Sequence, residues 1–247
     1  MSHRYTFTGL VHPERATLSV SRVVSQISAR DAGVVGTLTT NIIVSQVTCT
    51  FETETVVPNV FTLRNLVSDA VRIVVDAVGF LYGHGYDVEI VQLIRPDSGD
   101  PLVFGVDIPV LKPSTPDLTS RMNEVMRLFE DPRGAYLQNC FADLREAIRS
   151  PQDTGFFCYR ALESLRQFFV EHGAAKSDKA SWEQLRSSLK VSRSDIDDIK
   201  TFADARRHGK GKGISDAERA EVFRKTWLIV NSHIDFSVSG YGRGGEI

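Results

Sequence analysis

Cysteine is scarce in this chain, with three in 247 residues: Cys49, Cys140 and Cys158. None belongs to a C-x-x-C pair or lies at metal-ligand spacing from a histidine, so no cysteine metal site is expected, and the count does not favour a disulfide framework. An odd, sparse count fits a reducing cytoplasm. The expected role of all three is that of small core residues. An excess of charge of one sign is missing as well: Lys+Arg 29 against Asp+Glu 31 leaves a net charge of -2. The chain as a whole is not drawn to nucleic acid or to acidic membranes, so a polyanion site has to be local. No run of about 18 uncharged apolar residues occurs anywhere. The start, MSHRYTFTGLVHPER, has no apolar core behind a basic segment, so neither membrane insertion nor export is expected.

Several signatures of chemistry are absent too. The chain contains no G-x-S-x-G elbow, no G-x-x-x-x-G-K-[ST] loop and no dinucleotide fingerprint. His3, His12, His84, His172, His208 and His233 form no pattern with a nucleophile, and His84, flanked by Gly83 and Gly85, reads as a turn residue. No metal and no organic cofactor is expected.

What is present is a sharp change of pattern along the chain. The first hundred or so residues are rich in Val, Thr, Ile and Ser in short alternating runs, the mark of strands. Segments 4–10 and 15–24 flank a His-Pro-Glu turn and suggest a hairpin, and 29–37 reads as a loop. Segment 41–54 reads as one half-buried strand with Ile43, Val47, Cys49 and Phe51 inward. Gln46, Thr48, Thr50 and Glu52 then point outward. From Asn59 to Tyr82 the period becomes helical, with Asn59 as cap and Gly83 as left-handed stop. Strands are expected again at 86–94 and 102–110.

Lys112-Pro113-Ser114-Thr115-Pro116 interrupts both patterns and divides the chain into 1–112, 113–238 and a tail at 239–247. Beyond that break nearly everything is helical, with starts at Asp117, Asp131-Pro132, Ser150-Pro151, Ser181, Ser192 and Ser215. Ser215 and Glu218 have the spacing of a capping box. The expected fold class is therefore α+β: a mostly antiparallel sheet with one long helix, followed by an all-α bundle. In the helix over 151–172, Phe157, Ala161, Leu165 and Phe168 share an apolar stripe, while Tyr159, Arg160, Glu163 and Arg166 carry the polarity.

One stretch, ADARRHGKGKGISDAE (203–218), gathers Arg206, Arg207, His208, Lys210 and Lys212 among three glycines. Cations at a helix C-terminus favour the negative end of its dipole, and Gly209 suits a left-handed cap. A single cap needs far less than this. Lys210 and Lys212 carry the charge past the helix, among glycines whose N–H groups can approach an anion, and another helix N-terminus follows. Arg206, Arg207, Gly209, Lys210 and Lys212 are accordingly the candidate phosphate-binding residues.

The segments FFCYRALESLRQFFVEHG (156–173), SWEQLRSSLKVS (181–192) and DDIKTFADARRHGKG (197–211) follow one another in the order and spacing of the HEPN family. Residues 117 to 237 resemble that family, whereas the sheet-rich half resembles nothing recognised. The resemblance implies a helical bundle that pairs as a homodimer, with two Arg-x(4-6)-His motifs brought together to cut RNA without metal. It also allows members that bind RNA or a nucleotide without cutting. His208 matches the motif's histidine, with Gly209 after it. The motif's arginine falls at Thr201, Phe202 or Ala203, none of which is Arg, and Asp204 occupies the polar place that follows it. On this resemblance the catalytic residues are His208, Arg207 (or Arg206) and Glu163, and the partners are RNA or a nucleotide and a second copy of the chain. The sheet's partner is unknown. The competing expectation is a non-catalytic dimerising scaffold.

Overall fold

The computed structural model describes residues 2–95, 98–105, 108–111, 117–173, 175–207 and 214–240, without the side chains of Pro109 and of residues 205–207. The chain divides into two compact units, Met1–Val106 and Asp107–Ile247. The division falls a few residues ahead of the Pro113 break. A single helical turn at Pro109–Leu111 contacts the last long helix, and Ile108 and Leu111 pack on the helical core.

The first unit contains β1 (His3–His12), β2 (Val20–Ala29), β3 (Val34–Ile43), β4 (Gln46–Thr53), α1 (Val60–Tyr82), β5 (Asp87–Ile94) and β6 (Pro101–Val103). The strands form one antiparallel sheet in the order β2-β3-β4-β1-β5-β6. Alternation decides its two faces. Tyr5, Phe7 and Val11 of β1, Val47, Cys49 and Phe51 of β4, and Val88, Ile90 and Leu93 of β5 are buried in one cluster with Leu63, Val67, Val71 and Val75 of α1. The opposite face is rich in threonine, with Thr6 paired to Thr50 and Thr8 to Thr48. Asn59 caps α1 as expected, its side chain accepting from Phe61 N at 2.9 Å and Thr62 N at 3.2 Å, and Gly83 closes the helix at φ 66°.

Four expectations need correction here. β1 does not form a hairpin with the segment that follows it, because its neighbours are β4 and β5, and β2 lies at the sheet edge beside β3. The strand expected over 41–54 is two strands with a tight turn at Val44 and Ser45, both at positive φ (49° and 63°). Neither is a usual left-handed residue. The turn is held from outside: Ser45 N donates to Leu18 O at 2.7 Å, Val11 N donates to Ser45 O at 2.8 Å, and Ser45 Oγ accepts from Leu18 N at 3.1 Å. Ile43 consequently lies on the solvent side, 67% exposed, and the supposed loop at 29–37 shrinks to Arg30–Gly33 before β3 begins. Finally, β6 stops at Val103, well short of 110.

The second unit is helical throughout: α2 (Leu118–Glu130), α3 (Ala135–Arg149), α4 (Thr154–Glu171), α5 (Asp178–Leu189), α6 (Arg193–Arg207) and α7 (Asp216–Val238). α4 is the central rod, packing on α3, α5, α6 and α7. Its Cys158, Ala161, Leu162 and Leu165 are fully buried. Tyr159, assigned to the polar face from its residue type, is instead buried and stacks on Trp182 with ring centroids 5.8 Å apart. Ser181 sits one turn inside α5, which Ser177 caps. All three cysteines are buried thiols.

His233 of α7 lies among the rings of Phe168, Phe169 and Phe236, and its Nδ1 has no hydrogen-bond partner. Burial pulls its pKa from the ordinary 6.5 down to about 4. The unfolded chain then binds a proton that the folded chain refuses, so stability present above pH 6.5 drains away as the pH falls toward 4, by roughly 3 kcal/mol in all. His233→Met, similar in bulk and unable to ionise, is expected to flatten this acid limb in urea titrations between pH 7 and pH 4.

Candidate functional site

On the side of α4 that meets α3, Arg160 Nη2 lies 3.3 Å from Asp143 Oδ1, and the guanidinium sits over the rings of Phe156 and Phe157 at 5.7 and 6.0 Å. Asp143 is only 7% exposed. Its carboxyl is held above the ordinary carboxylate range chiefly by burial; Arg160 opposes the shift, and the negative charges of Glu146 and Glu163 add to it. Glu163, half-buried on the same helix, is therefore part of one electrostatic group with Asp143 and Arg160. That matters for any proton handled beside α4, because the charge of Glu163 helps to keep Asp143 protonated.

The ends of α6 and α7 are positioned from the first turn of α4. A Cβ on Gly155 would stand 2.4 Å from the Cβ of Phe202, so only glycine lets α4 and α6 approach this closely. Lys225 of α7 bonds Asp198 of α6 and lies 3.6 Å from Asp195 and 3.7 Å from Glu221. Arg219, in the first turn of α7, donates from Nε to Thr154 Oγ1 at 2.8 Å and from Nη2 to Ile148 O at 2.9 Å, while its guanidinium lies 4.9 Å from the Phe223 ring centroid. Thr154 Oγ1 in turn donates to Ala147 O at 2.9 Å. The unpaired carbonyls that close α3 are thus satisfied by groups from α4 and α7.

The capping box at the start of α7 is formed as its spacing requires. Ser215 Oγ accepts from Glu218 N at 3.3 Å, and Ser215 N donates to Glu218 Oε2 at 2.9 Å. This changes one part of the phosphate argument. With Glu218 folded over the first turn and Asp216 beside it, the N-terminus of α7 already carries its own anion. A phosphate at this junction must therefore draw its attraction from the α6 end and the glycine-lysine segment.

Of the residues assigned from sequence, the structure describes Glu163 in full. Arg206 and Arg207 form the end of α6 as backbone, with side chains outside the described residues. His208, Gly209, Lys210 and Lys212 also lie outside them. Glu163 is associated with Asp143, a residue that sequence reasoning did not select. Arg219 and Thr154 were missed as well, although a signal existed: an arginine in the first turn of a helix opposes the dipole and has to find its acceptors elsewhere. Among the described residues no group of three or more His, Cys, Asp or Glu could hold a metal ion. No helix there is long and apolar enough to cross a membrane.

Fold and site together define a two-unit α+β protein, an antiparallel sheet with one covering helix followed by a helical bundle built on α4. Residues 5–104 match the N-terminal domain of DUF8168 and residues 122–238 its C-terminal domain, both described as domains of unknown function. The two matches follow chain order and span most of its length, and the chain belongs to the DUF8168 family. No curated protein and no solved structure matches it.

Removing the Arg219 guanidinium takes the side-chain donor from Ile148 O and the Thr154 Oγ1 contact, so Arg219→Ala is expected to lower unfolding stability by about 1–3 kcal/mol. Arg219→Lys should restore little, because one ammonium cannot reach both helices and stack on Phe223. Urea denaturation followed by circular dichroism measures both.

Proposed function

We propose that the helical unit binds RNA or a nucleotide through a phosphate held where α6 ends and α7 begins, and that it acts in the cytoplasm as a HEPN-like homodimer. The observation that supports this most is the fixing of both ends of the basic segment. The last turns of α6 rest on α4 through the Gly155–Phe202 contact, and α7 is tied to α3 and α4 by Arg219. Anchoring α6 on α4 at Phe202 and α7 through Arg219 restrains the chain on both sides of this segment, which lowers the ordering cost of gripping an anion. Arg206, Arg207 and Lys210 neutralise the phosphate, and the N–H groups around Gly209 and the Lys212 ammonium complete the grip.

In the nuclease form of this reading, the RNA 2′-hydroxyl attacks the adjacent phosphorus and the 5′-oxygen of the next nucleotide leaves. His208 exchanges protons with the reacting oxygens, its ordinary pKa lying near neutrality. Arg207 or Arg206 stabilises the charge that develops on the phosphorane, and Glu163 orients that guanidinium. The absence of arginine at Thr201, Phe202 and Ala203 makes binding without cleavage the more economical form of the proposal.

A second reading, a non-catalytic scaffold, is favoured by the sheet unit. At the end of α1 Phe80 is 87%, Leu81 76% and Tyr82 71% exposed, with Ile73 71% exposed two turns earlier, and exposed apolar surface of this kind is a mark of interaction faces.

Binding of a short RNA or of a nucleoside polyphosphate is expected to weaken as salt is raised and to fall at least about tenfold in the triple variant Arg206→Ala, Arg207→Ala, Lys210→Ala. Unchanged binding in that variant, read by fluorescence anisotropy, would remove the site. For the nuclease form, wild-type cleavage has to disappear in His208→Ala while its circular dichroism is retained. A protein inert toward varied RNAs leaves the binding form alone.

A further inference from the structure

A second site lies elsewhere in the helical unit, between α2, α3 and α7, and none of the residues discussed for phosphate belongs to it. These three helices border an open-sided cavity of about 510 Å³ whose walls include Phe141, Leu144 and Ile148 of α3 and Trp227, Val230 and Ile234 of α7. That volume lies within the range of small-molecule sites, and a mostly apolar lining with a few polar groups is their usual composition. The charged side chains that line it are Arg121, Arg145 and Arg149, with the neutral Asn231 beside them, and among the described residues no carboxylate lines it, although Glu124, Asp235 and Glu146 pair with these arginines from outside the lining.

The three arginines are not equivalent. Arg121 is committed to the fold: its side chain is 24% exposed, with Nη1 2.7 Å from Asp235 and 3.0 Å from Glu124, and Nη2 donating to Asn231 Oδ1 at 3.2 Å. Asn231 is fixed in turn, donating from Nδ2 to Trp227 O at 2.9 Å. This side of the cavity is a finished wall. The α3 side differs. Arg145 and Arg149 are one helical turn apart, so they share a face. The Arg145 side chain is 66% exposed and gives its Nε to Glu146 at 3.2 Å, and that of Arg149, 48% exposed, lies 3.6 Å from the same carboxylate. Two substantially exposed arginines beside an apolar cavity can bind a carboxylate or phosphate whose body prefers to leave water.

From this geometry we infer that the α2–α3–α7 cavity binds a small amphipathic anion. Its apolar body lies against Phe141, Leu144 and Trp227, and its acidic head is held by Arg145 and Arg149. An uncharged hydrophobe of the same length gains the apolar contact but not the charge-assisted hydrogen bonds, which sets the expected discrimination at roughly tenfold or more. The inference stands or falls separately from the phosphate site at the α6–α7 junction.

Trp227 supplies the readout, because in full-length protein carrying Trp182→Phe it is the remaining tryptophan. Decanoate, decyl phosphate and decanol are titrated while its emission is followed, with isothermal calorimetry on the unmodified chain as a check. The expected result is saturable one-site binding of at least one of the two acids, about tenfold or more tighter than decanol. In Arg145→Ala, Arg149→Ala that advantage should be lost while the decanol affinity stays put. The singly substituted, solvent-facing Arg145→Gln should give an intermediate loss, and it keeps the test open if the double variant folds poorly. Equal affinity for acids and alcohol, an absence of saturation at one site, or full acid binding in the arginine variants would overturn the inference.

Discussion

The helical unit depends on one constraint: α4 must be enclosed on nearly every side. Cys158, Ala161, Leu162 and Leu165 have no exposed surface, and α3, α5, α6 and α7 all pack against this one helix. A helix of such modest amphipathicity gains most of its stability from tertiary burial, since propensity alone contributes little to a segment of this length. Two consequences follow. The neighbouring helices are positioned by where α4 is narrow, as at Gly155 beneath Phe202, and the polar groups that remain near its ends have to find partners within the bundle.

Those partners explain the arrangement of charge. Helix ends leave carbonyls and N–H groups unpaired, and in this bundle they are closed by side chains from other helices, with Arg219 and Thr154 finishing α3 while Ser215 and Glu218 finish α7. The same logic separates the two candidate sites. At the α6–α7 junction, Glu218 already answers the N-terminal dipole of α7, so any attraction for an anion would have to come from the cations between the two helices. At the α2–α3–α7 cavity Arg121 is held by two acids and 24% exposed, whereas Arg145, beside Glu146, is 66% exposed. A count of charges along the chain treats these arginines alike; their surroundings do not.

The two units have separate hydrophobic cores, and the chain changes from one style of burial to the other within a few residues. In the sheet unit a single helix covers one face and the other face carries threonines, an arrangement antiparallel sheets tolerate because one face can remain solvated. In the bundle no such open face is affordable for α4. This difference gives the first unit an exposed apolar end on α1 and the second its enclosed central rod.

Much of this was legible from the sequence, because local periodicity and capping chemistry act over a few residues. The α+β class, the long helix between Asn59 and Gly83, the Ser215–Glu218 box and the clustering of Arg206 to Lys212 all follow from spacings within one or two helical turns. Long-range pairing did not. The Val44–Ser45 turn is written in residues that favour strands and exists because Leu18 and Val11 hold Ser45 from a distance. Strand order, the burial of Tyr159 against Trp182, the coupling of Glu163 to Asp143 and the arginine-edged cavity between α2, α3 and α7 bring together residues tens of positions apart. Sequence fixed which segments coil and which extend, through forces that decay within a turn. Which charges meet a partner and which are left facing water was decided only when the folded helices closed around α4.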